Sequence, residues 1–149
     1  MNKMHSFFWG ITLLLTVVVL LSVYGFMPYE VGINVDGAGK ITDYVSKSQF
    51  FYGSLLFIFV ANVTFYFFGR TLSNSPVRQS KPAFIEALSG WVFVFNGLVN
   101  LIMCISLVVL AGLNVTTTPF FERISFLAYG VPALFGVGVV WLLTALRKR

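Results

Sequence analysis

Three carboxylates, Glu30, Asp36 and Asp43, fall in one polar stretch, PYEVGINVDGAGKITDYVSK, at residues 28–47. Hard cations are held by such oxygens, yet this spacing fits no calcium-loop template, and solvated acids on a turn are the simpler reading. The other residues able to do chemistry stand alone. Cys104 is the single cysteine, so it forms no internal disulfide, and without a second thiol or clustered histidines it makes no metal site. His5 is the single histidine and sits in the N-terminal tail. With no Ser/His/Asp set, no metal-spaced cluster and no phosphate-cradling glycine loop, the sequence predicts no enzyme, no cofactor and no metal centre.

Amides inside apolar runs are the other candidates. Asn96 and Asn100 lie four residues apart, so on a helix they share one face, which Met103 and Leu107 continue. Asn62 and Thr64 lie in a second run. An amide in hydrocarbon is costly unless it pairs, so these residues predict an interhelical hydrogen-bond cluster, each bond worth roughly 0.6 to 2 kcal/mol. A hydrated path past Asn62, Asn96 and Asn100 is the sharper alternative. Against it, no charged residue lies deep in any run; Glu86 and Glu122 fall at entrances, where helix N-termini favour negative charge.

What must position these residues is a set of membrane helices. The chain is 58% hydrophobic and 10% charged, with a mean hydropathy of +0.88, more apolar than a soluble core requires. A hydrocarbon layer about 30 Å thick needs roughly 20 apolar residues in helical form. Runs of that length occur at about residues 7–27, 50–69, 88–112 and 123–146, and none alternates in polarity as a transmembrane barrel strand would. The expected fold is therefore an all-α integral membrane protein, one domain of four transmembrane helices. The first run is longer than the core of a secretory signal and no A-x-A-like site follows it, so it reads as a retained anchor.

The second run carries seven phenylalanines between positions 50 and 68, read as lipid-facing or packing residues, with Tyr52 and Tyr66 towards the two interfaces. The fourth holds Gly130, Pro132, Ala133, Gly136 and Gly138, which permit close helix approach and a kink. Asn62 and Asn114 each begin an N-x-T pattern, but one lies within a span and the other too near the membrane for glycosylation.

Four spans place Lys3, Arg70, Arg78, Lys81, Arg147, Lys148 and Arg149 on one side and Lys40, Lys47 and Arg123 on the other. Seven against three predicts cytoplasmic termini, a cytoplasmic loop at 70–87 and an extracytoplasmic loop at 28–49. The net charge of +5 thus reflects helix flanks able to meet anionic lipid heads, and nucleic acid is not an expected partner. Within the outer loop, Pro28 ends the first helix, VGINV is rich in β-branched residues, Asp36-Gly37-Ala38-Gly39 supplies a reversal, and KITDYV resumes a strand pattern. A short β-hairpin is expected between the first two helices, packed on helix ends or on a partner because it is marginal alone.

Residues 27–47, MPYEVGINVDGAGKITDYVSK, resemble the loop of an uncharacterised bacterial module found at the N-terminus of the SdpI family of membrane immunity proteins. That loop runs hydrophobe-Pro-x-x-Ile-Pro-Ile-His-Phe-Asn-x-x-Gly-x-Pro-Asp-x-Tyr-Gly-Ser-Lys. Pro28, Val31, Ile33, Gly39, Tyr44, Ser46 and Lys47 align without a gap. Asn34 replaces the family's His, Asp36 its Asn and Gly32 its second Pro, while Asp43 follows by one position the site of its acid, here Thr42. The resemblance implies a multi-pass protein of the bacterial cytoplasmic membrane whose loop residues Pro28, Ile33, Asn34, Asp36, Gly39, Asp43, Tyr44 and Lys47 contact something at the membrane face. Some relatives confer immunity to secreted peptides or signal to a regulator; full-length ones have further spans.

The leading expectation is a non-enzymatic role, with the outer loop binding a peptide, lipid or envelope partner. The alternatives are an accessory subunit of a larger membrane complex and a small transporter or channel component.

Overall fold

A computed structural model describes residues 3–36, 41–115 and 129–147. Described elements are α1 (Lys3–Phe26), β1 (Glu30–Val35), β2 (Ile41–Ser46), α2 (Lys47–Ser73), a single turn α3 (Val77–Ser80), α4 (Pro82–Asn114) and α5 (Gly130–Leu146). Three of the helices, α1, α2 and α4, are long and apolar enough to cross a membrane; α5 is a shorter apolar helix. The first part of the expected fourth span, with Glu122 and Arg123, lies outside the described residues, as do Gly39 and Lys40 of the loop and Lys148 and Arg149. Pro132 falls in the first described turn of α5.

A run rich in Leu, Val, Ile and Phe carries α1 until Pro28 draws the preceding residue out of helical backbone. The expected hairpin is present. Glu30 faces Ser46, Val31 faces Val45 and Gly32 faces Tyr44, after which two register shifts bring Asn34 opposite Asp43 and Val35 opposite Ile41. Such bulges bend and twist a ribbon. β2 then enters α2 with no loop between: the Ser46 hydroxyl accepts from the Gln49 amide at 3.2 Å, and Gln49 Oε1 accepts from the Ser46 amide at 3.0 Å. This reciprocal cap satisfies two helix-start donors, a contribution of about 1 kcal/mol.

The helices extend beyond the apolar runs. α2 continues to Ser73 and α4 begins at Pro82, so the basic loop reduces to a few residues around α3. A hydroxyl pair joins the extension of α2 to α4, Ser73 Oγ to Ser89 Oγ at 2.6 Å.

α4 is the organising element, packing against α1, α2, α5 and the hairpin. Lipid is as apolar as leucine, so helix association here depends on close fit and polar bonds. Glycines provide the fit: a Cβ on Gly97 would collide with the Phe8 ring, one on Gly69 with Phe93, and one on Gly138 with Phe95. The Trp91 indole donates to Gly138 O at 2.9 Å and fastens α5 to α4. At the hairpin end, Leu20, Val23 and Met27 of α1 and its exit meet Phe50, Ile58, Leu107 and Ala111, and Val31 of β1 plugs this core with no exposed surface.

Candidate functional site

The loop residues that carried the sequence expectation divide by face. Val31 and Gly32 are buried, whereas Pro28, Tyr29, Ile33, Asn34, Asp36, Asp43 and Tyr44 are exposed. The split in β1 does not alternate with period two: Val31 and Gly32 lie next to α4, and the register shifts that follow Gly32 leave Ile33 and Asn34 both outside. Tyr29 is 91% exposed, Tyr44 57% and Ile33 48%, so three large apolar side chains project from one small ribbon. Asn34 Nδ2 donates to Asp43 Oδ2 across the strands at 2.9 Å. Lys47 is half-buried, its ammonium 4.8 Å from the centroid of the Tyr24 ring and its amide donating to Tyr29 O at 2.8 Å.

The ribbon is held by a residue that sequence reasoning set aside. Asn114, near the end of α4, accepts from the Gly32 amide through Oδ1 at 2.6 Å and donates to Gly32 O through Nδ2 at 2.9 Å. The same Nδ2 reaches Leu110 O at 2.9 Å. A side-chain amide has the donor and acceptor geometry of a peptide unit, so Asn114 acts as a one-residue strand on the free edge of β1. Gly32 suits this site because a Cβ there would collide with Ile41. The signal available in the sequence was an amide at the end of an apolar run, facing a loop with unpaired strand edges.

Between α1, α2 and α4, Asn62 and Asn100 come together. Asn62 Nδ2 donates to Asn100 Oδ1 at 2.9 Å and Asn100 Nδ2 donates to Asn62 Oδ1 at 3.1 Å. Asn62 Oδ1 also accepts from the Trp9 indole at 2.8 Å, and its Nδ2 donates to Ile58 O at 2.8 Å. Thr16 Oγ1 donates to Thr12 O and Asn100 O, and the Cys104 thiol reaches Thr16 Oγ1 at 3.3 Å. The cluster is buried and well paired, with Asn62 5% and Asn100 1% exposed. Trp9, Thr12 and Thr16 were not foreseen, although their spacing puts them on one helical face.

Asn96 does not join this cluster. It is fully buried, and among the described residues neither Oδ1 nor Nδ2 has a hydrogen-bond partner. Thr64 is exposed rather than paired with Asn62. Among the described residues no group of His, Cys, Asp or Glu is placed to hold a metal ion, and Glu30, Asp36 and Asp43 do not converge on one.

A mostly helical chain with three apolar helices of spanning length and a small antiparallel hairpin has the architecture of a membrane protein. No family model, curated protein or solved structure matches it.

Proposed function

We propose that this is a four-span, non-enzymatic membrane protein whose hairpin, on the extracytoplasmic side, binds a peptide or protein partner. The observation that carries the reading is that a hairpin too small to be stable alone is clamped through Gly32 and Val31 while it presents Tyr29, Ile33 and Tyr44 outward. Ordering the ribbon before contact reduces the entropy lost on binding. Exposed tyrosines supply large amphipathic contact area, and the outer edge of β2 offers backbone groups to an extended segment.

The orientation follows the excess of Lys and Arg on the other side. The fourth span of this reading is the one that contains α5. The likeness of residues 27–47 to the SdpI-associated loop supports a bacterial cytoplasmic membrane and a partner of the secreted-peptide kind, with an immunity or signalling role. Reciprocal bonding of Asn62 and Asn100 supports structural packing for those amides in preference to conduction.

A photo-crosslinking residue at Tyr44, irradiated in the native membrane, tests the reading by mass spectrometry of the adduct. One defined adduct, lost when Tyr29 and Ile33 are both changed to Ser, is expected. Adducts that survive this double change, or none above a control residue on the lipid face of α2, would overturn it.

A further inference from the structure

At the end of the bundle away from the hairpin, two surface features meet. The first is an apolar groove of about 450 Å³ between α1 and α2, lined by Trp9, Leu13 and Val17 on one side and Leu55, Phe59 and Val63 on the other. It exists because these two helices pack mainly on α4 and only slightly on each other. From Leu55 to Phe67 it follows thirteen residues of α2, about 18 Å of helix, close to the roughly 15 Å depth of one leaflet's hydrocarbon.

The second is a polar cleft of about 490 Å³ lined by Arg70, Thr71, Asn74, Ser75, Pro76 and Phe67. Phe67 borders both, and Tyr66, which lines the groove, accepts from Arg70 Nη1 through its hydroxyl at 2.9 Å. That bond holds the guanidinium at the mouth of the groove. Among the described residues this is its one polar contact, so no carboxylate neutralises it. Arg78 stands at an adjoining cleft that shares Asn74 and Ser75, with its Nη1 donating to Ser73 O at 3.2 Å.

We propose that this composite surface is a binding site for one anionic phospholipid, with an acyl chain in the α1–α2 groove and the phosphate on Arg70, beside the Thr71 and Ser75 hydroxyls. Two juxtaposed halves select the occupant. A free phosphate has no use for the groove, and a hydrocarbon chain alone has none for the arginine. Guanidinium forks match phosphate oxygens in pairs. An anionic head is preferred because a zwitterionic one brings its own cation to the phosphate, and basic pockets beside membrane helices recognise such heads. The inference rests on the membrane reading of the three long helices and is independent of the hairpin's partner.

The test is quantitative lipid mass spectrometry on the full chain, purified from its native membrane in mild detergent. Retained lipid in the wild type is expected to be enriched in anionic species over the bulk membrane. Arg70→Gln should lower the retained anionic-to-zwitterionic ratio about fivefold, the worth of one basic side chain at an anionic surface. Val63→Trp, which fills the groove, should lower total retained lipid and leave helicity by circular dichroism unchanged. Thermal midpoints keep the question answerable for a poorly folding variant: phosphatidylglycerol added to delipidated wild type should raise the midpoint more than phosphatidylcholine does. Retained lipid mirroring the bulk, an unchanged ratio in Arg70→Gln, or equal shifts from the two lipids would each overturn the site. Recovery of the chain outside the membrane fraction would overturn the membrane reading itself, a separate result.

Discussion

Replacing either member of the Asn62–Asn100 pair with Leu removes the same two side-chain bonds, yet the two substitutions should differ in cost. In Asn100→Leu, Asn62 is left satisfied, since Oδ1 keeps the Trp9 indole and Nδ2 keeps Ile58 O. The loss is two bonds to Asn62 and a long 3.5 Å contact from Asn100 Nδ2 to Thr12. At about 0.6 kcal/mol per intramembrane bond this comes to about 1 to 2 kcal/mol. In Asn62→Leu the Trp9 bond goes as well, and both the indole N–H and Asn100 Oδ1 lose their partner. Each stranded group adds about 1 kcal/mol or more, for a total of about 3 to 5 kcal/mol. The double variant should cost less than the sum of the two, with a coupling of about 1 to 2 kcal/mol, because the shared bonds are counted once. Reversible unfolding in mixed micelles titrated with sodium dodecyl sulfate, followed by circular dichroism, measures all four proteins. A cost for Asn100→Leu equal to or above that for Asn62→Leu, or strict additivity, would refute this hydrogen-bond arrangement.

Asn96→Leu should be neutral or stabilising by up to about 1 kcal/mol in the same titration, because it removes a buried amide that has no partner among the described residues. Asn114→Ala should free the ribbon without unfolding the helices; amide exchange at Gly32 is expected to rise at least about tenfold, as two bonds of roughly 1 kcal/mol each are lost. Gly97→Leu should force Phe8 away and part α1 from α4, costing about 2 kcal/mol or more by overpacking, with an increase in the distance between spin labels on α1 and α4 as the readout.

The long helices were legible because hydrocarbon demands an uninterrupted run, and their ends were not. α2 runs on to Ser73, whose hydroxyl bonds Ser89 and Gly69 O, contacts that hydropathy does not register. The hairpin was legible in its β-branched flanks and glycine-rich turn, but not in its anchorage. An amide at the end of an apolar run marks Asn114 as a residue in need of a partner, but not that the partner is Gly32, 82 positions away. Pairing of an α2 amide with α4 followed from the cost of burying amides. Which α4 amide takes part depends on where the two helices cross, and face sharing could not separate Asn96 from Asn100. Thr12 and Thr16 escaped notice because a threonine in a membrane helix can return its hydroxyl to its own backbone, as Thr16 does to Thr12 O.

The central place of α4 bears on the order in which the chain takes shape. α1, the hairpin and α2 are made first, yet the partners that settle them, Leu107 and Ala111 for the Val31 plug, Asn100 for Asn62 and Asn114 for Gly32, all belong to a helix synthesised afterwards. A nascent chain stopped at residue 81 would hold two inserted helices joined by a loose ribbon, with Asn62 relying on Trp9 and its own backbone. Arrival of α4 consolidates both ends of that intermediate together. Truncations on either side of Asn114 should therefore separate a protease-sensitive hairpin from a resistant one within a single turn of added helix.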